Sequence, residues 1–251
     1  MLVANLWYSQ LPPLVEIHDS GEVKLVELGI LSNKKFSEKT FCVGYDVGGR
    51  NEPHGVELSR GYRCQTCQDK DFFKFCGFCK GDRCLNQNME SKAWCNQPFV
   101  VYLAYFGGKT AKVGVSSESR VLERLHEQGA LSYKILHKTI NGREARKIET
   151  GLVETFPDRI SQKQKLELYS DLNLSWFHET FEGLSFDLDY NLSLVAKLKS
   201  YKRIASTLIN SSSVIGALGP FLIFENELVS FGKIKGRKIV PKRNLDYFFK
   251  G

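Results

Sequence analysis

The chain has 251 residues, and its 35 Lys and Arg residues outnumber its 28 Asp and Glu residues, which gives a formal net charge of +7. Apolar residues make up 42% and charged residues 25% of the sequence, and these ordinary globular values exclude a collagen-like, mucin-like or largely disordered chain. The longest apolar run, residues 214–224, is far shorter than the ~20 residues that cross a bilayer, and the residues after Met1 lack the pattern of a signal peptide. We therefore expect a cytoplasmic, intracellular protein that does not enter a membrane.

Short alternating strands are predicted in both flanks of the chain. Residues 14–18 and 23–28 alternate on either side of Asp19-Ser20-Gly21, which predicts a β-hairpin. Short strands return between residues 175 and 240, with a second hairpin around residues 225–227. We expect the two β-rich flanks to pack together as one barrel-like body.

The centre of the chain is predicted to form two strands followed by two helices that are joined by a loop. Residues 99–106 are strongly β-prone, and the chain returns as a second strand after a glycine-containing turn. The first helix is expected to end near Gly129. The second is expected to occupy residues 141–156, with a possible capping box between Asn141 and Glu144. Together with the flanks, this order of elements predicts an α+β fold with a small central sheet.

Six of the seven cysteines lie within 32 residues, and they are Cys64, Cys67, Cys76, Cys79, Cys84 and Cys95. The first four form two C-x-x-C pairs, and each such turn can present two sulfurs to one ion. Two pairs predict a closed, structural zinc site, because zinc takes four soft ligands in a tetrahedron. The choice of ligands stays open, since Cys84 and Cys95 could replace one pair or form a second site with His54 or Cys42.

The two predicted helices carry polar groups within or beside their apolar faces. On a helical wheel Glu149 falls inside the apolar arc of the second helix, where a carboxylate is costly unless it is paired or binds a metal. A buried ion pair with an arginine of the first helix is the alternative. On the first helix Arg124 and His126 flank the apolar stripe on opposite sides, so that both could be held by the core and still reach a ligand.

Short motifs in the centre of the chain resemble the GIY-YIG nuclease superfamily, and they are Val100-Val101-Tyr102, Lys112-Val113-Gly114, Arg124 and Glu149. Residues 148–153 resemble the glutamate-bearing helix of that superfamily. With the preceding cysteine cluster, residues 124–130 also resemble an uncharacterised cysteine-rich branch found in archaea and bacteria.

The resemblance implies one-metal phosphodiester hydrolysis on a GIY-YIG-like central sheet with helices. In that scheme Glu149 holds Mg²⁺ or Mn²⁺, Tyr102 orients or deprotonates the attacking water, and Arg124 clamps the phosphate. Lys112 belongs to the second motif, where many members have a tyrosine, and His126 is a secondary catalytic candidate. Because the first motif also lacks its glycine, binding without cleavage stays open as the alternative.

The end of the chain is basic and then aromatic. Six Lys and Arg residues lie between residues 233 and 243. The pattern that follows resembles the box that docks into the sliding clamp, PCNA, and consists of Lys242, Leu245, Phe248 and Phe249, with Lys242 in place of the usual glutamine. A helical turn would place the three apolar side chains on one side, where they could fill one pocket. Packing of this segment against the β-rich body is the alternative.

These patterns together predict a nucleoid-associated, metal-dependent endonuclease that acts on single-stranded or branched DNA in replication or repair and is tethered to the clamp. The alternative is a non-catalytic, zinc-containing DNA- or RNA-binding adaptor of the clamp. The expected organisation is an N-terminal β-rich segment (1–60), a zinc-binding knuckle (61–97), a GIY-YIG-like nuclease domain (98–174), a C-terminal β-rich segment (175–235) and a basic tail with the clamp-binding box (236–251).

Overall fold

The computed structural model of the chain describes residues 1–47, 50–86, 89–181, 185–198, 202–204, 209–225 and 227–240. The strands are β1 (Leu2–Trp7), β2 (Leu14–Asp19), β3 (Glu22–Glu27), β4 (Lys35–Phe36), β5 (Thr40–Phe41), β6 (Tyr45–Val47), β7 (Arg50–Glu52), β8 (Glu57–Leu58), β9 (Phe99–Tyr105), β10 (Ala111–Ser117), β11 (Ser132–Thr139), β12 (Ser185–Asp187), β13 (Lys202–Ile204), β14 (Val214–Leu218), β15 (Phe221–Phe224), β16 (Glu227–Ser230) and β17 (Ile239–Val240). The helices are α1 (Gln65–Lys70), α2 (Met89–Cys95), α3 (Val121–Gln128), α4 (Gly142–Leu152), α5 (Gln162–Tyr169), α6 (Leu174–Thr180) and α7 (Asp189–Leu198). The fold is therefore α+β with small sheets, as the sequence predicts. Within the described ranges no helix is both long enough and apolar enough to cross a membrane.

The central sheet contains β10, β9, β11 and β12 in that order, with antiparallel neighbours throughout. Every residue of β9 is buried, because this strand lies between two others and α4 packs against it. Its continuous apolar run is typical of a strand that is covered on both faces. In this sheet Tyr102 of β9 pairs with Gly114 of β10 on one side and with Ile135 of β11 on the other.

The ends of two central helices follow local sequence signals. Helix α3 ends at Gln128, and Gly129 closes it with a left-handed φ of +74°, as predicted. The Asn141 side chain accepts a hydrogen bond from the Glu144 backbone N–H at 2.9 Å and caps α4. The Glu144 carboxylate accepts from the N–H of Ile140 in place of that of Asn141, so the predicted capping box is only half formed.

Two parts of the central unit differ from the sequence-based expectation. Helix α4 ends at Leu152, and residues 153–156 form a turn, because the chain tends to leave the helical conformation before Pro157. The loop predicted between the two helices contains strand β11. A β-bulge between residues 135 and 137 interrupts the alternation of β11 and hides the strand period in the sequence.

Residues 174–180 and 189–198 are helical, although short strands are predicted from residue 175 onward. Helix α6 begins after Asn173, whose side chain accepts a hydrogen bond from the Trp176 N–H at 3.0 Å. Strand β12 pairs with β11, and α7 contributes Leu194 and Val195 to the central core. The central unit therefore continues past the predicted boundary at residue 174.

The two flanks of the chain share one hydrophobic core. The predicted N-terminal hairpin is confirmed, since β2 and β3 are joined by Ser20 and Gly21, both with positive φ, and β1 pairs with β2. The C-terminal sheet has the order β13-β16-β15-β14 and contains the predicted hairpin of β15 and β16. Val15 of β2 and Leu222 of β15 belong to the same core. The flanks pack together as a three-stranded and a four-stranded sheet instead of one barrel-like body.

Residues 236–240 belong to the folded body, although a basic tail is predicted to begin at residue 236. Strand β17 pairs with β4 and places Ile239 opposite Phe36. The carbonyl oxygen of Arg237 accepts a hydrogen bond from the backbone of β1 at 2.9 Å. The predicted clamp-binding box, residues 242–249, lies outside the described residues.

Candidate metal centre and candidate active site

Four side chains that can bind a metal ion meet near the start of helix α1. The ligand atoms of Cys42, His54, Cys64 and Cys67 all lie within 4.8 Å of one another. His54 Nδ1 is 3.2 Å from the sulfur atom of Cys64 and 3.2 Å from that of Cys67. In a tetrahedral zinc site with Zn–S distances of about 2.3 Å, neighbouring sulfurs are about 3.8 Å apart. A Cys–Cys–Cys–His cluster of this size could therefore hold a metal ion such as zinc.

The local backbone explains why these four residues meet. A backbone hydrogen bond of 2.9 Å joins the carbonyl of Cys42 to the residue after His54, so the two ligands face each other across a hairpin. Glycine at position 44 allows the two sides of this hairpin to lie close together, because a Cβ atom there would lie 1.6 Å from the backbone oxygen of Glu52 on the other side. Cys64 immediately precedes α1 and Cys67 lies in its first turn, which directs both sulfurs to one side.

Backbone N–H groups donate hydrogen bonds to sulfur atoms of the cluster. The N–H groups of Gly44 and Cys64 donate to the Cys42 sulfur at 3.4 and 3.3 Å. A hydrogen bond from the Cys67 backbone lowers the pKa of Cys64 to about 7, so this thiol loses its proton readily at neutral pH. Burial raises the pKa of Cys67, and a bound cation would oppose that shift.

The ligands of this cluster differ from the predicted set. Cys64 and Cys67 are joined by Cys42 and His54, and the second C-x-x-C pair is not part of the cluster. The reason is strand pairing: β5 pairs with β8, and this hairpin brings in two ligands that stand outside the cysteine-rich segment. The remaining four cysteines surround a separate cavity, and they are Cys76, Cys79, Cys84 and Cys95.

A buried tyrosine forms part of the candidate active site. Tyr102 has no exposed surface, and its hydroxyl oxygen accepts a hydrogen bond from Gln128 Nε2 at 2.7 Å. Burial raises the pKa of Tyr102, and so does the charge of Glu149. The charge of Arg124 and the hydrogen bond from Gln128 lower this pKa. Arg124 and Glu149 therefore both lie within electrostatic reach of Tyr102, although the three residues come from β9, α3 and α4.

Three cations interact with one another in this site. Burial and the charge of Arg124 lower the pKa of Lys112 to about 8, against the opposing effect of Glu149. Lys165 of α5 is also buried, and burial, together with the charges of Lys112 and Arg124, lowers its pKa to about 7. Arg124 forms an ion pair with Glu127, with 2.9 Å between Nη1 and Oε2. Gathered like charges are unfavourable by themselves and are relieved when an anion binds.

Glu149, which the motif resemblance assigns to metal binding, lies on the inner face of α4 as predicted. Its side chain is 13% exposed. Its Oε2 accepts a hydrogen bond from Arg146 Nη1 at 2.8 Å. The ion pair expected as the alternative is therefore present, with a partner from the same helix in place of the preceding one.

His126 lies against helix α7. Its Nδ1 is 3.1 Å from Asn191 Oδ1, and its ring meets the Tyr190 ring edge to face with 6.2 Å between centroids. Burial lowers the pKa of His126. These contacts give His126 a role in packing α3 against α7 rather than in the Tyr102 site.

Residues 36–239 match the profile of DUF2797, a family described as protein of unknown function. The chain belongs to the DUF2797 family. The matched range contains every residue of the two candidate sites and leaves out the β1–β3 sheet and the predicted clamp-binding box. No curated protein and no solved structure matches the chain.

Two members of the Tyr102 site in this DUF2797 chain are not among the sequence-based candidates. Lys165 Nζ donates to the Gln128 carbonyl at 2.7 Å and lies 4.7 Å from the ring centroid of Phe106. Gln128 Oε1 is buried and has no hydrogen-bond partner among the described residues. The sequence of α5 offers no signal for this role, because only the return of α5 onto the end of α3 brings the two residues together.

Proposed function

We propose that this chain is a metal-dependent endonuclease that cleaves single-stranded or branched DNA in replication or repair. The proposal is carried by one observation: the mutually repelling cations Lys112, Arg124 and Lys165 interact in the site of a buried tyrosine and a half-buried carboxylate. The motif residues that resemble the GIY-YIG superfamily come from β9, β10, α3 and α4, and their electrostatic interactions in one site support the proposal.

A phosphodiester is the ligand that suits this arrangement of charges. Arg124 can offer its guanidinium N–H groups as a fork, while Lys112 and Lys165 act as point charges. The depressed pKa of each lysine reflects burial and like charge. A bound phosphate would offset both effects and favour the protonated lysines. The site would thus become fully cationic when its anionic substrate arrives.

Glu149 fits a hard divalent cation such as Mg²⁺ or Mn²⁺. These cations bind through one or two carboxylates together with water and substrate phosphates. Glu149 acts electrostatically on both Tyr102 and Lys112, which supports a metal site beside the proposed substrate position. When bound, the metal would neutralise charge that develops on the phosphate. Arg146 orients the carboxylate through its 2.8 Å hydrogen bond.

In this proposal Tyr102 would orient the attacking water, and Lys112 would accept and release a proton. Burial raises the pKa of Tyr102, so the phenol stays protonated at neutral pH and suits orientation of the attacking water better than its deprotonation. The pKa of Lys112 is lowered to about 8, close to the range in which a group can accept and release a proton during turnover.

The proposal is tested with labelled flap, fork and single-stranded DNA incubated with the purified chain and Mn²⁺ or Mg²⁺. Glu149→Gln keeps the size of the side chain and removes its charge, and we expect cleavage to fall by at least about 100-fold. Glu154→Gln is the matched control, since Glu154 is exposed two residues after α4. Absence of cleavage by the wild-type chain, or equal activity of the two variants, would refute the proposal.

A non-catalytic nucleic-acid-binding adaptor is the second candidate, and the ion pair of Arg146 and Glu149 favours it. A carboxylate that an arginine already neutralises gains less from a cation. This candidate predicts DNA binding that weakens as salt rises, without metal-dependent cleavage. Parallel titrations with matched DNA and RNA distinguish the two nucleic acids.

We further propose that the tail tethers the chain to the sliding clamp PCNA, and the sequence pattern of Lys242, Leu245, Phe248 and Phe249 supports this. Deletion of residues 242–251 is expected to abolish binding to purified clamp and to leave binding to free DNA unchanged. Lys242→Gln introduces the usual first residue of the box and is expected to tighten clamp binding. Equal clamp affinity of the full and shortened chains would contradict the tether.

A further inference from the structure

Four cysteines that the first metal centre does not use surround one small cavity. Cys76, Cys79, Cys84 and Cys95 line it together with the first half of α4, and its volume is about 40 Å³. A cavity of this size admits a single ion or very few water-sized atoms, and it is far below the size that an organic ligand needs.

The backbone presents these cysteines in a pattern typical of zinc sites. Cys76 begins a 3₁₀ turn and Cys79 follows it, with the Cys79 N–H donating to the Cys76 carbonyl at 3.3 Å. Cys84 lies in the loop that follows, and Cys95 is the last residue of α2. A C-x-x-C turn supplies two sulfurs to one ion, and two cysteines from neighbouring elements can complete the tetrahedron.

Two of the residues that line the cavity, Asn86 and Gly142, donate hydrogen bonds to the cysteine sulfur atoms. Asn86 is buried, and its Nδ2 donates to the Cys76 sulfur at 3.7 Å. The backbone N–H of Gly142, at the start of α4, hydrogen-bonds the Cys95 sulfur. A Cβ atom at Gly142 would lie 3.0 Å from that sulfur, so glycine allows the helix end to approach this closely. Such outer hydrogen bonds orient metal-bound thiolates and stabilise their charge.

Two arginines supply the positive charge that an anionic metal centre needs. Four thiolates around one Zn²⁺ carry a net charge of about −2, and two arginines, Arg143 and Arg146, are among the residues that line the cavity. All four cysteines line this one cavity, so a cation bound in it would lie among their sulfur atoms and would favour the thiolate form of each.

We propose that Cys76, Cys79, Cys84 and Cys95 bind a second Zn²⁺ ion, separate from the cluster that contains Cys42 and His54. Four thiolates in a closed tetrahedron are a donor set of structural zinc. The seven cysteines of the chain are then all ligands, three in the first centre and four in the second. This proposal does not depend on the nuclease proposal, because metal content is measured without any substrate.

The second ion would fasten the cysteine-rich loop to helix α4. The Arg143 guanidinium donates to the Asp82 carbonyl at 2.7 Å, and Thr150 Oγ1 lies 3.4 Å from the Lys80 carbonyl oxygen. At Gly81 a Cβ atom would lie 2.5 Å from a backbone oxygen of α4, so the loop rests directly on the helix. The metal centre would therefore help to position the helix that carries Glu149.

Zinc content and thiol reactivity of the purified full chain test the proposal. We expect about two zinc ions per chain by elemental analysis, and almost no reaction of the native protein with a thiol reagent until a chelator and denaturant are added. A single-zinc protein would instead hold about one zinc ion and expose up to about four reactive thiols. That result, or iron in place of zinc, would overturn the proposal.

Matched variants assign each ion to its ligands. Cys84→Ser removes a ligand of the second centre only, and Cys42→Ser removes one of the first, so each is expected to retain about one zinc ion. Replacement of zinc by Co²⁺ then separates the centres, because the optical spectrum of an all-sulfur site differs from that of a three-sulfur, one-nitrogen site. Two zinc ions in Cys84→Ser would contradict the assignment. The thiol count uses the wild-type chain, so it remains decisive if a variant fails to fold.

Discussion

Replacement of Gly114 by alanine tests the close approach of strands β10 and β9 in the candidate active site. A Cβ atom at this position would lie 2.8 Å from Tyr102 Oη, 2.9 Å from its Cζ and 3.0 Å from its Cε2. The ring cannot easily withdraw, because Tyr102 is fully buried and its hydroxyl is hydrogen-bonded to Gln128 at 2.7 Å. The added methyl group must therefore displace a packed ring or separate two strands.

The expected cost follows from two opposing effects. Overpacking of a buried site costs about 1–3 kcal/mol, and the lower flexibility of alanine in the unfolded chain returns about 0.4–1 kcal/mol. We expect Gly114→Ala to lower the free energy of unfolding by about 1–2 kcal/mol, measured by urea denaturation with circular dichroism. Gly151→Ala is the control, since nothing lies within 4 Å of a Cβ atom there, and in helix α4 it should stabilise by up to about 1 kcal/mol.

A double-mutant cycle shows whether the Tyr102 ring causes the cost. Tyr102→Leu removes the ring, and in that background Gly114→Ala should cost little, which gives a coupling energy of about 1–2 kcal/mol. Additivity of the two substitutions within about 0.5 kcal/mol would refute the reasoning. So would a Gly114→Ala variant that is as stable as Gly151→Ala.

Three further predictions concern a buried carboxylate, a buried lysine and the first metal centre. Glu16 is 1% exposed and accepts hydrogen bonds from Trp7 Nε1 at 2.5 Å and from His18 Nε2 at 2.6 Å. Glu16→Gln replaces one of the two acceptor oxygens and should lower the free energy of unfolding, measured by urea titration, by about 1–3 kcal/mol. Glu22→Gln is the control, because Glu22 is exposed and its substitution should leave this free energy unchanged. Lys165 has its pKa lowered by burial from 10.5 to about 7. Between pH 7 and pH 10.5 the lysine therefore binds a proton in the unfolded chain but not in the folded one, so the free energy of unfolding rises with pH in this range. Lys165→Met should reduce that slope by up to about 1.4 kcal/mol per pH unit, measured by unfolding from pH 7 to pH 10. An unchanged slope would contradict the burial of this charge. His54→Ala should weaken zinc binding by more than about 100-fold, measured by competition with a chelator. His137→Ala is the control, because His137 is exposed and its substitution should leave zinc binding intact. Equal zinc affinity of these two variants would exclude His54 as a ligand.

Features that depend on a few neighbouring residues are predictable from the sequence. The Ser20-Gly21 turn and the end of α3 at Gly129 both require a positive φ, which these residues adopt locally. The inward position of Glu149 follows from the 3.6-residue helical period. In each case the cause lies within one or two turns of backbone.

Features that depend on contacts between segments far apart along the chain are not predictable from the sequence. The sequence offers Cys42 and His54 only as partners of Cys84 and Cys95, whereas the pairing of β5 with β8 brings them to Cys64 and Cys67; spacing within the cysteine-rich segment does not indicate that pairing. Lys165 reaches the candidate active site because α5 folds back onto the end of α3. Strand β11 is hidden for a different reason, since its bulge breaks the alternation that identifies a strand.

Arg146 faces the four-cysteine cavity and also holds the Glu149 carboxylate. If both proposed metal sites are occupied, this shared guanidinium would make their occupancies thermodynamically linked. If the thiolates take up zinc, the resulting negative centre would draw Arg146 toward itself and free Glu149 for a second cation. Linkage is reciprocal, so a cation bound at Glu149 would in turn tighten the zinc centre. The two metal ions would then bind cooperatively, and removal of one would lower the affinity of the chain for the other.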